Sequence, residues 1–442
     1  MPSERTDGWL PTRAFGRAVL VAGLLVFLAV LTGRYDLVVI AAPFALGTAL
    51  SLRRRPVLLP EPDVSDVDDL AEGDEFRLRA GVVNPDPAPL DLVLLRVRLP
   101  RWVRVRYGDH PWGAVAPGGS VAEMDLSGTA LRWGRHALGP AVAYGVACDG
   151  LLVSLPVTAA PVGLKAYPVT EPFRAVEAMP RAAGLVGQHH SRRYGEGGEL
   201  AGVRQFAPGD RLRRIDWRVT LRTRQLHVVS TLSDRDAEVV VLLDVLHEAG
   251  ESGGAGGAAS VLDVTVRAAA GIAEHYLHRG DRVSLLEYGY RARRLRPAAG
   301  RRQYLTALEW LLDVRPTAAD DAPTADDALT AGGLAGHGLS GNALVIVLTP
   351  LLDQRSAGMV AGLARAGRFV VAVDTLPPDL RPALDGEWAP MAYRLWRMAR
   401  DNVVGQLREH GVPVVAWAGA GSLDQVLQDV SRMATALKAA RR

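Results

Sequence analysis

Val239-Val240-Val241-Leu242-Leu243-Asp244 decides the fold of the C-terminal half: five apolar residues in unbroken succession, closed by an acid. A strand with one wet face alternates apolar and polar residues. A strand that does not alternate suits a parallel sheet covered on both faces. Residues 344–348, 369–373 and 412–417 repeat the pattern, and helix-like stretches lie between and after them at 261–278, 304–312, 391–410 and 423–437. Strands alternating with helices predict a doubly wound, Rossmann-type α/β domain over residues 237–442. Ligands of such sheets bind at the carboxyl ends of the strands. Asp244, Thr349 and Asp374 each close a strand there and are the positions to inspect.

Upstream the period drops to two. Phe76, Leu78, Ala80 and Val82 alternate with Arg77, Arg79 and Gly81, and Val93, Leu95, Val97 and Leu99 alternate with Leu94, Arg96 and Arg98. Val103 and Val105 continue the pattern with Arg104 and Arg106. These are strands with one face buried, and Asn84-Pro85-Asp86-Pro87 and Ala116-Pro117-Gly118-Gly119 between them are turn chemistry. They predict a small antiparallel β-sandwich over residues 73–165, with the Pro- and Asp-rich residues 56–72 as a linker. The architecture expected is thus α/β plus all-β.

Residues 18–32 and 37–52 carry no charge and have no polar face, which a surface helix of a soluble protein needs. Each is shorter than the roughly 20 residues of a spanning helix, but flanking residues extend both. Together they predict a transmembrane hairpin within residues 1–55, turning through Gly33-Arg34-Tyr35-Asp36. No small-x-small pattern follows the first run, which argues against a cleaved leader. Arg13 and Arg17 precede the first run and Arg53, Arg54 and Arg55 follow the second, so both ends are expected in the cytoplasm, with the remaining domains.

Composition excludes several classes. The 442 residues hold 51 basic and 48 acidic side chains, and the arginines are dispersed rather than gathered on one stretch, so no nucleic-acid footprint is visible. Cys148 is the single cysteine, which rules out an intrachain disulfide and a cysteine-built zinc site. Its setting, Val146-Ala147-Cys148-Asp149-Gly150, reads as a strand end entering a turn, without a histidine motif to activate a nucleophile. Gly254-Ala255-Gly256-Gly257-Ala258-Ala259 fits a dinucleotide pattern, but it lies ten residues past Asp244 inside a low-complexity run and reads as a loop. Neither lysine has the glycines of a phosphate loop before it, and His189-His190 lacks further spaced ligands.

The most distinctive text lies between the two folded regions, in residues 166–236. It runs Ser191-Arg192-Arg193-Tyr194-Gly195-Glu196-Gly197-Gly198-Glu199-Leu200, then Val203-Arg204-Gln205-Phe206-Ala207-Pro208-Gly209-Asp210, then Arg213-Arg214-Ile215-Asp216-Trp217. A turn at Pro208 to Asp210 accounts for part of it, but not for so ordered a run of Arg and Asp. The stretch resembles the signature of the bacterial "domain of unknown function 58" family, an Arg-x-Tyr-x-Pro-Gly-Asp element followed by Arg-x-Ile-Asp-Trp. Arg204, Pro208, Gly209, Asp210, Arg213, Ile215, Asp216 and Trp217 match it, with Phe206 where a tyrosine is usual. Trp133-Gly134-Arg135-His136-Ala137-Leu138-Gly139-Pro140, leading to Asp149-Gly150-Leu151, is similar to the family's sandwich ending.

The resemblance implies a two-helix anchor, a sandwich, the signature stretch and a von Willebrand A-like domain. It also implies a partner, a MoxR-type AAA+ ATPase, and an adaptor or assembly role without enzymatic activity. Arg204, Asp210, Arg213, Asp216 and Trp217 are the candidates, serving either partner binding or the locking of this stretch onto the α/β core. Von Willebrand A domains commonly hold Mg²⁺ through Asp-x-Ser-x-Ser, a distant Thr and a further Asp. Here Asp244 is kept, but Leu246 and Glu248 replace the serines, and Pro350 follows Thr349 where the late acid belongs. Asp353 and, loosely, Thr324 remain as replacements. A hard cation needs oxygen ligands that leucine and proline cannot supply, so no cofactor is expected. A degenerate site of Asp244, Glu248 and Asp353 is the fallback. The alternatives are a divalent-cation-dependent binding receptor and, more remotely, a hydrolase using Cys148 or Asp244.

Overall fold

The computed structural model describes residues 8–106, 111–170, 194–206, 215–232, 238–289, 293–316, 343–381 and 386–417. It divides into two compact units, residues 1–167 and 168–442.

The first unit opens on a short strand, β1 (Trp9–Pro11), followed by helices α1 (Arg13–Thr32) and α2 (Asp36–Leu52). Then come β2 (Glu61–Val64), β3 (Leu70–Ala71), β4 (Glu75–Val83), β5 (Leu90–Val97), β6 (Val103–Val105) and β7 (Trp112–Ala116). The remaining strands are β8 (Val121–Ala130), β9 (Gly134–Leu138), β10 (Ala141–Ala147), β11 (Leu152–Ser154), β12 (Val157–Ala159) and β13 (Val162–Tyr167). One sheet orders β1-β11-β10-β5-β7 with β12 also on β10, a second β2-β4-β8-β6, and a third β3-β13-β9. Phe76, Leu78, Ala80 and Val82 from β4 share one core with Leu90, Val93 and Leu95 from β5, as the period-two alternation requires.

Two details depart from the reading of the sequence. The Pro- and Asp-rich residues 56–72 carry β2 and β3, each paired into a sheet. They are held there by the turn after β4, where Asp86 Oδ2 accepts the Val57 and Leu58 amides at 2.6 and 2.8 Å. The chain before α1 also belongs to the sandwich: β1 pairs antiparallel with β11, and Trp9 is buried.

One helix among the described residues, α1, is long and apolar enough to cross a membrane. At 20 residues it is about 30 Å long. The 17 residues of α2 are apolar but fall short of that length, and Pro43 lies inside it. The two helices pack on each other. Val19, Leu20, Leu24, Phe27, Val30 and Leu31 of α1 and Val39, Ile40, Leu46 and Leu50 of α2 are exposed.

The second unit contains a hairpin and a large sheet. The hairpin is β14 (Tyr194–Gln205) against β15 (His227–Leu232), with the short helix α3 (Trp217–Thr223) between them. The sheet follows with β16 (Glu238–Asp244), α4 (Val261–His278), β17 (Arg282–Tyr288), β18 (Arg294–Ala298), α5 (Arg301–Leu311) and β19 (Leu344–Thr349). It ends with α6 (Gln354–Arg365), β20 (Phe369–Asp374), α7 (Ala389–Glu409) and β21 (Val414–Ala416). The order is β18-β17-β16-β19-β20-β21, parallel except for β18. β17 and β18 were not among the strands read from the sequence; Arg282 and Ser284 interrupt the apolar run of β17. Every residue of β16 is buried, Glu238 and Asp244 included. Val240, Leu242, Val345 and Val347 face Met359, Val360 and Leu363 of α6 and Val404 and Leu407 of α7, while α4 packs against β16, β17 and β19. The chain reverses direction across the sheet between β16 and β19, which makes the carboxyl ends of those two strands the topological switch point.

Candidate functional site

Register brings four side chains to that edge. Asp244 lies opposite Tyr288, and Thr349 lies opposite Asp374. Asp244 is 2 % exposed, and the Thr349 hydroxyl donates to its Oδ2 at 2.6 Å. The Leu246 amide donates to Oδ1 at 3.2 Å, and the Ser356 hydroxyl at the start of α6 is a further partner. Burial pushes the Asp244 carboxyl up, against the opposing pull of the Ser356 and Thr349 hydroxyls. Burial likewise pushes the Tyr288 phenol up, and the Asp244 charge adds to it.

Asp353 caps the N-terminus of α6, its Oδ1 accepting the Arg355 amide at 2.7 Å. Its Oδ2 takes the Arg355 guanidinium at 2.9 and 2.7 Å and the His247 Nε2 at 2.7 Å. Burial alone raises this carboxyl, but the Arg355 contacts and the His247 ring outweigh it and hold it well below the usual carboxylate range. Asp374 is clasped by Arg400 of α7, whose guanidinium also donates to the Pro350 carbonyl at 3.0 and 2.9 Å. Glu248 turns to the start of α4, where its Oε1 accepts the Leu262 amide at 3.4 Å.

The cation set implied by the resemblance is therefore not assembled. Leu246 offers only its amide, Thr349 is a donor to Asp244, and Glu248 and Asp353 serve two different helix N-termini. Arg355 and Arg400 supply positive charge beside Asp353 and Asp374, and the His247 ring nitrogen adds a hydrogen-bonding partner to Asp353. Among the described residues no group of three or more His, Cys, Asp or Glu side chains is placed to hold a metal. These residues do not fit the ion. Thr324 lies outside the described residues.

The signature stretch is built differently. Arg204 sits in β14 opposite Val228, and the hairpin continues as Phe206 donates its amide to the Leu226 carbonyl at 2.8 Å. Ile215 bridges Val228, and the Asp216 amide donates to the His227 carbonyl at 2.9 Å. Asp216 then caps α3, its Oδ1 accepting the Arg218 and Val219 amides at 3.0 and 3.1 Å. Thr220 and Thr223 tie the helix to His227, through the His227 amide at 3.0 Å and its Nδ1 at 3.1 Å. On this clamped helix Trp217 is 62 % exposed and Leu221, one turn on, 78 %. Asp210 and Arg213 lie outside the described residues. Of the five candidates, Asp216 is a helix cap and Trp217 a presented side chain.

Sequence reading missed Ser356, His247, Arg355 and Arg400. Ser356, His247 and Arg400 carry no local signal, since each acts through partners brought together by the sheet order, whereas Arg355 binds Asp353 only two residues away. Leu221 was legible: it follows Trp217 at helical spacing.

The class of protein is thus an α/β sheet domain joined to a β-sandwich unit with an apolar N-terminal helix. Residues 202–379 match the model of the family described as "Protein of unknown function DUF58", which supports the family resemblance carried by the signature stretch. It is 39 % identical over 61 residues to uncharacterized proteins of Mycobacterium tuberculosis and Mycobacterium bovis, a segment that is 14 % of this chain and 19 % of each relative. The match thus spans about a fifth of those relatives' length. Among solved structures, a non-cellulosomal cohesin from Archaeoglobus fulgidus aligns at 11 % identity over 24 % of this chain and 91 % of its own, with a TM-score of 0.19. A cohesin module from a Clostridium perfringens family 33 glycoside hydrolase gives 14 %, 24 %, 98 % and 0.16. Scores this low carry no argument.

Proposed function

We propose that this chain is a membrane-anchored, non-enzymatic adaptor of the bacterial cytoplasm, with a von Willebrand A-like α/β domain, and that it engages a AAA+ ATPase of the MoxR type. The observation that carries the reading is the exposed Trp217–Leu221 pair on a helix clamped by Asp216, Thr220 and Thr223. Large apolar side chains on a rigid support are typical anchors of protein interfaces. The strand ends of the α/β sheet support the same view, because their acids are already occupied by hydroxyls and guanidinium groups.

Two spans, with both ends on the cytoplasmic side, are part of this proposal. Thr12 before α1 and Ser51 near the end of α2 both bond the sandwich loop at residues 149–151. Both helix ends that leave the turn therefore return to one place. Retention of α1 is supported by β1, which precedes it and is a strand of the sandwich.

The test is a photo-crosslinking residue at position 221 in intact cells, followed by purification from membranes. A AAA+ ATPase crosslinked to the wild-type arm, and lost with Trp217→Ala or Arg213→Ala, supports the adaptor. Recovery of envelope enzymes alone, or of nothing, overturns the ATPase link. A cation-dependent receptor predicts instead that Mg²⁺ titration of the full chain releases heat that Asp244→Ala abolishes.

A further inference from the structure

The sandwich loop that follows β10 has an uncommon backbone. Cys148, Asp149 and Gly150 take left-handed φ values of 60°, 57° and 78° in succession. Two non-glycine residues there are strained, and such strain persists only where the surroundings hold it. Here the surroundings are the roots of the two apolar helices. The Thr12 amide donates to the Leu151 carbonyl at 2.9 Å and its hydroxyl to the Gly150 carbonyl at 2.7 Å. The Ser51 hydroxyl donates to Asp149, and Asp91 accepts the Gly150 amide at 3.0 Å.

This socket gathers charge. Arg13 and Arg17, one turn apart at the start of α1, and Arg53, Arg54 and Arg55 after α2 all lie at the rooted end and all are exposed. After α2 the amides of Arg53, Arg54 and Arg55 bond carbonyls three residues back, each at 3.2 Å, so the three side chains fan around the helix end. Asp149, Asp91 and Arg55 all act electrostatically on Cys148 in this socket, so part of the positive charge is balanced locally. The first turn of α1 contains no acid, which leaves its positive end without a compensating charge of its own. At the opposite end, Arg34 and Asp36 pair at 2.7 Å.

We infer that the arginine collar around the socket, Arg13, Arg17, Arg53, Arg54 and Arg55, binds phosphate-bearing anionic lipid headgroups. The inference rests on the membrane-spanning reading above. Guanidinium groups bind phosphate in bidentate fashion, and basic clusters beside a span attract anionic lipid. Arg17 lies within the first turns of α1 and reaches the headgroups by extending its side chain along the helix. The socket holds both helix roots on one loop, so the five guanidiniums converge on one leaflet and select its lipid.

The test uses the full chain in nanodiscs of equal phosphatidylcholine and phosphatidylglycerol, with retained lipids counted by native mass spectrometry after stripping. Phosphatidylglycerol is expected to be enriched, with the preference falling about fivefold for each arginine changed to glutamine. Arg→Lys at the same positions should keep most of the preference, which separates loss of charge from loss of fold. Equal retention of the two lipids by the wild type, or unchanged enrichment with all five arginines replaced, overturns the proposal. Displacement of the lipid by millimolar inorganic phosphate identifies a free-anion site and overturns the lipid assignment. The spanning reading fails separately, if alkaline carbonate extracts the wild-type chain from membranes.

Discussion

Replacing Asp244 by asparagine and by alanine separates a structural carboxyl from a metal-holding one. The carboxyl is buried, with the Thr349 hydroxyl, the Ser356 hydroxyl and the Leu246 amide around it. Asparagine keeps the shape and one acceptor oxygen, and its amide can donate to a threonine or serine hydroxyl that rotates to accept. Asp244→Asn should therefore cost about 1 kcal/mol. Asp244→Ala leaves two hydroxyls and an amide short of a partner and opens a small void, for about 3–5 kcal/mol. A chain of several units has no single unfolding midpoint, so the readout is amide hydrogen exchange in β16 and β19 of the full chain. A loss of 3 kcal/mol appears there as roughly a hundredfold faster exchange.

Proton linkage adds a sign. Burial raises the Asp244 pKa, so its contribution is present below about pH 4 and is lost as pH rises through the folded value. Asp244→Asn should then gain on the wild type as pH rises from acid to neutral. The reasoning is refuted if asparagine is as damaging as alanine, or if Mg²⁺ or a chelator changes the wild-type protection.

Asp353→Asn keeps the cap of α6 but removes the charge facing Arg355 and His247. The depressed folded pKa makes that stability present above about pH 4 and lost as pH falls, so the variant should be about 1 kcal/mol weaker near neutrality and equal in strong acid, read from exchange in α6. Asp216→Ala should destabilise α3 by about 1 kcal/mol, seen as faster exchange of the Arg218 and Val219 amides, whereas the exposed Trp217→Ala should leave exchange unchanged. In the sandwich, Asn84 is fully buried and its Nδ2 donates to the Ala88, Ala116 and Pro117 carbonyls. Asn84→Ala should cost about 2–3 kcal/mol and expose β4 and β7 to exchange.

Local periodicity was enough for much of this protein. Alternation in residues 76–82 and 93–99 and the unbroken apolar runs at 239–243 and 344–348 are written one residue after the next, because a strand's two faces are set by its own pleat. The apolar first helix and the family signature are equally local. Tertiary structure decided what lay beyond that range. Strand order placed Thr349 beside Asp244 across 105 positions, and it carried Arg400 to the Pro350 carbonyl across 50. The same is true of the socket, where Ser51 meets Asp149 and Thr12 meets Gly150. The candidate cation site dissolved for this reason. Its acids could be named from the chain, but the groups that occupy them are neighbours only after the sheet has formed, and a hydrogen bond depends on distance in space rather than along the sequence.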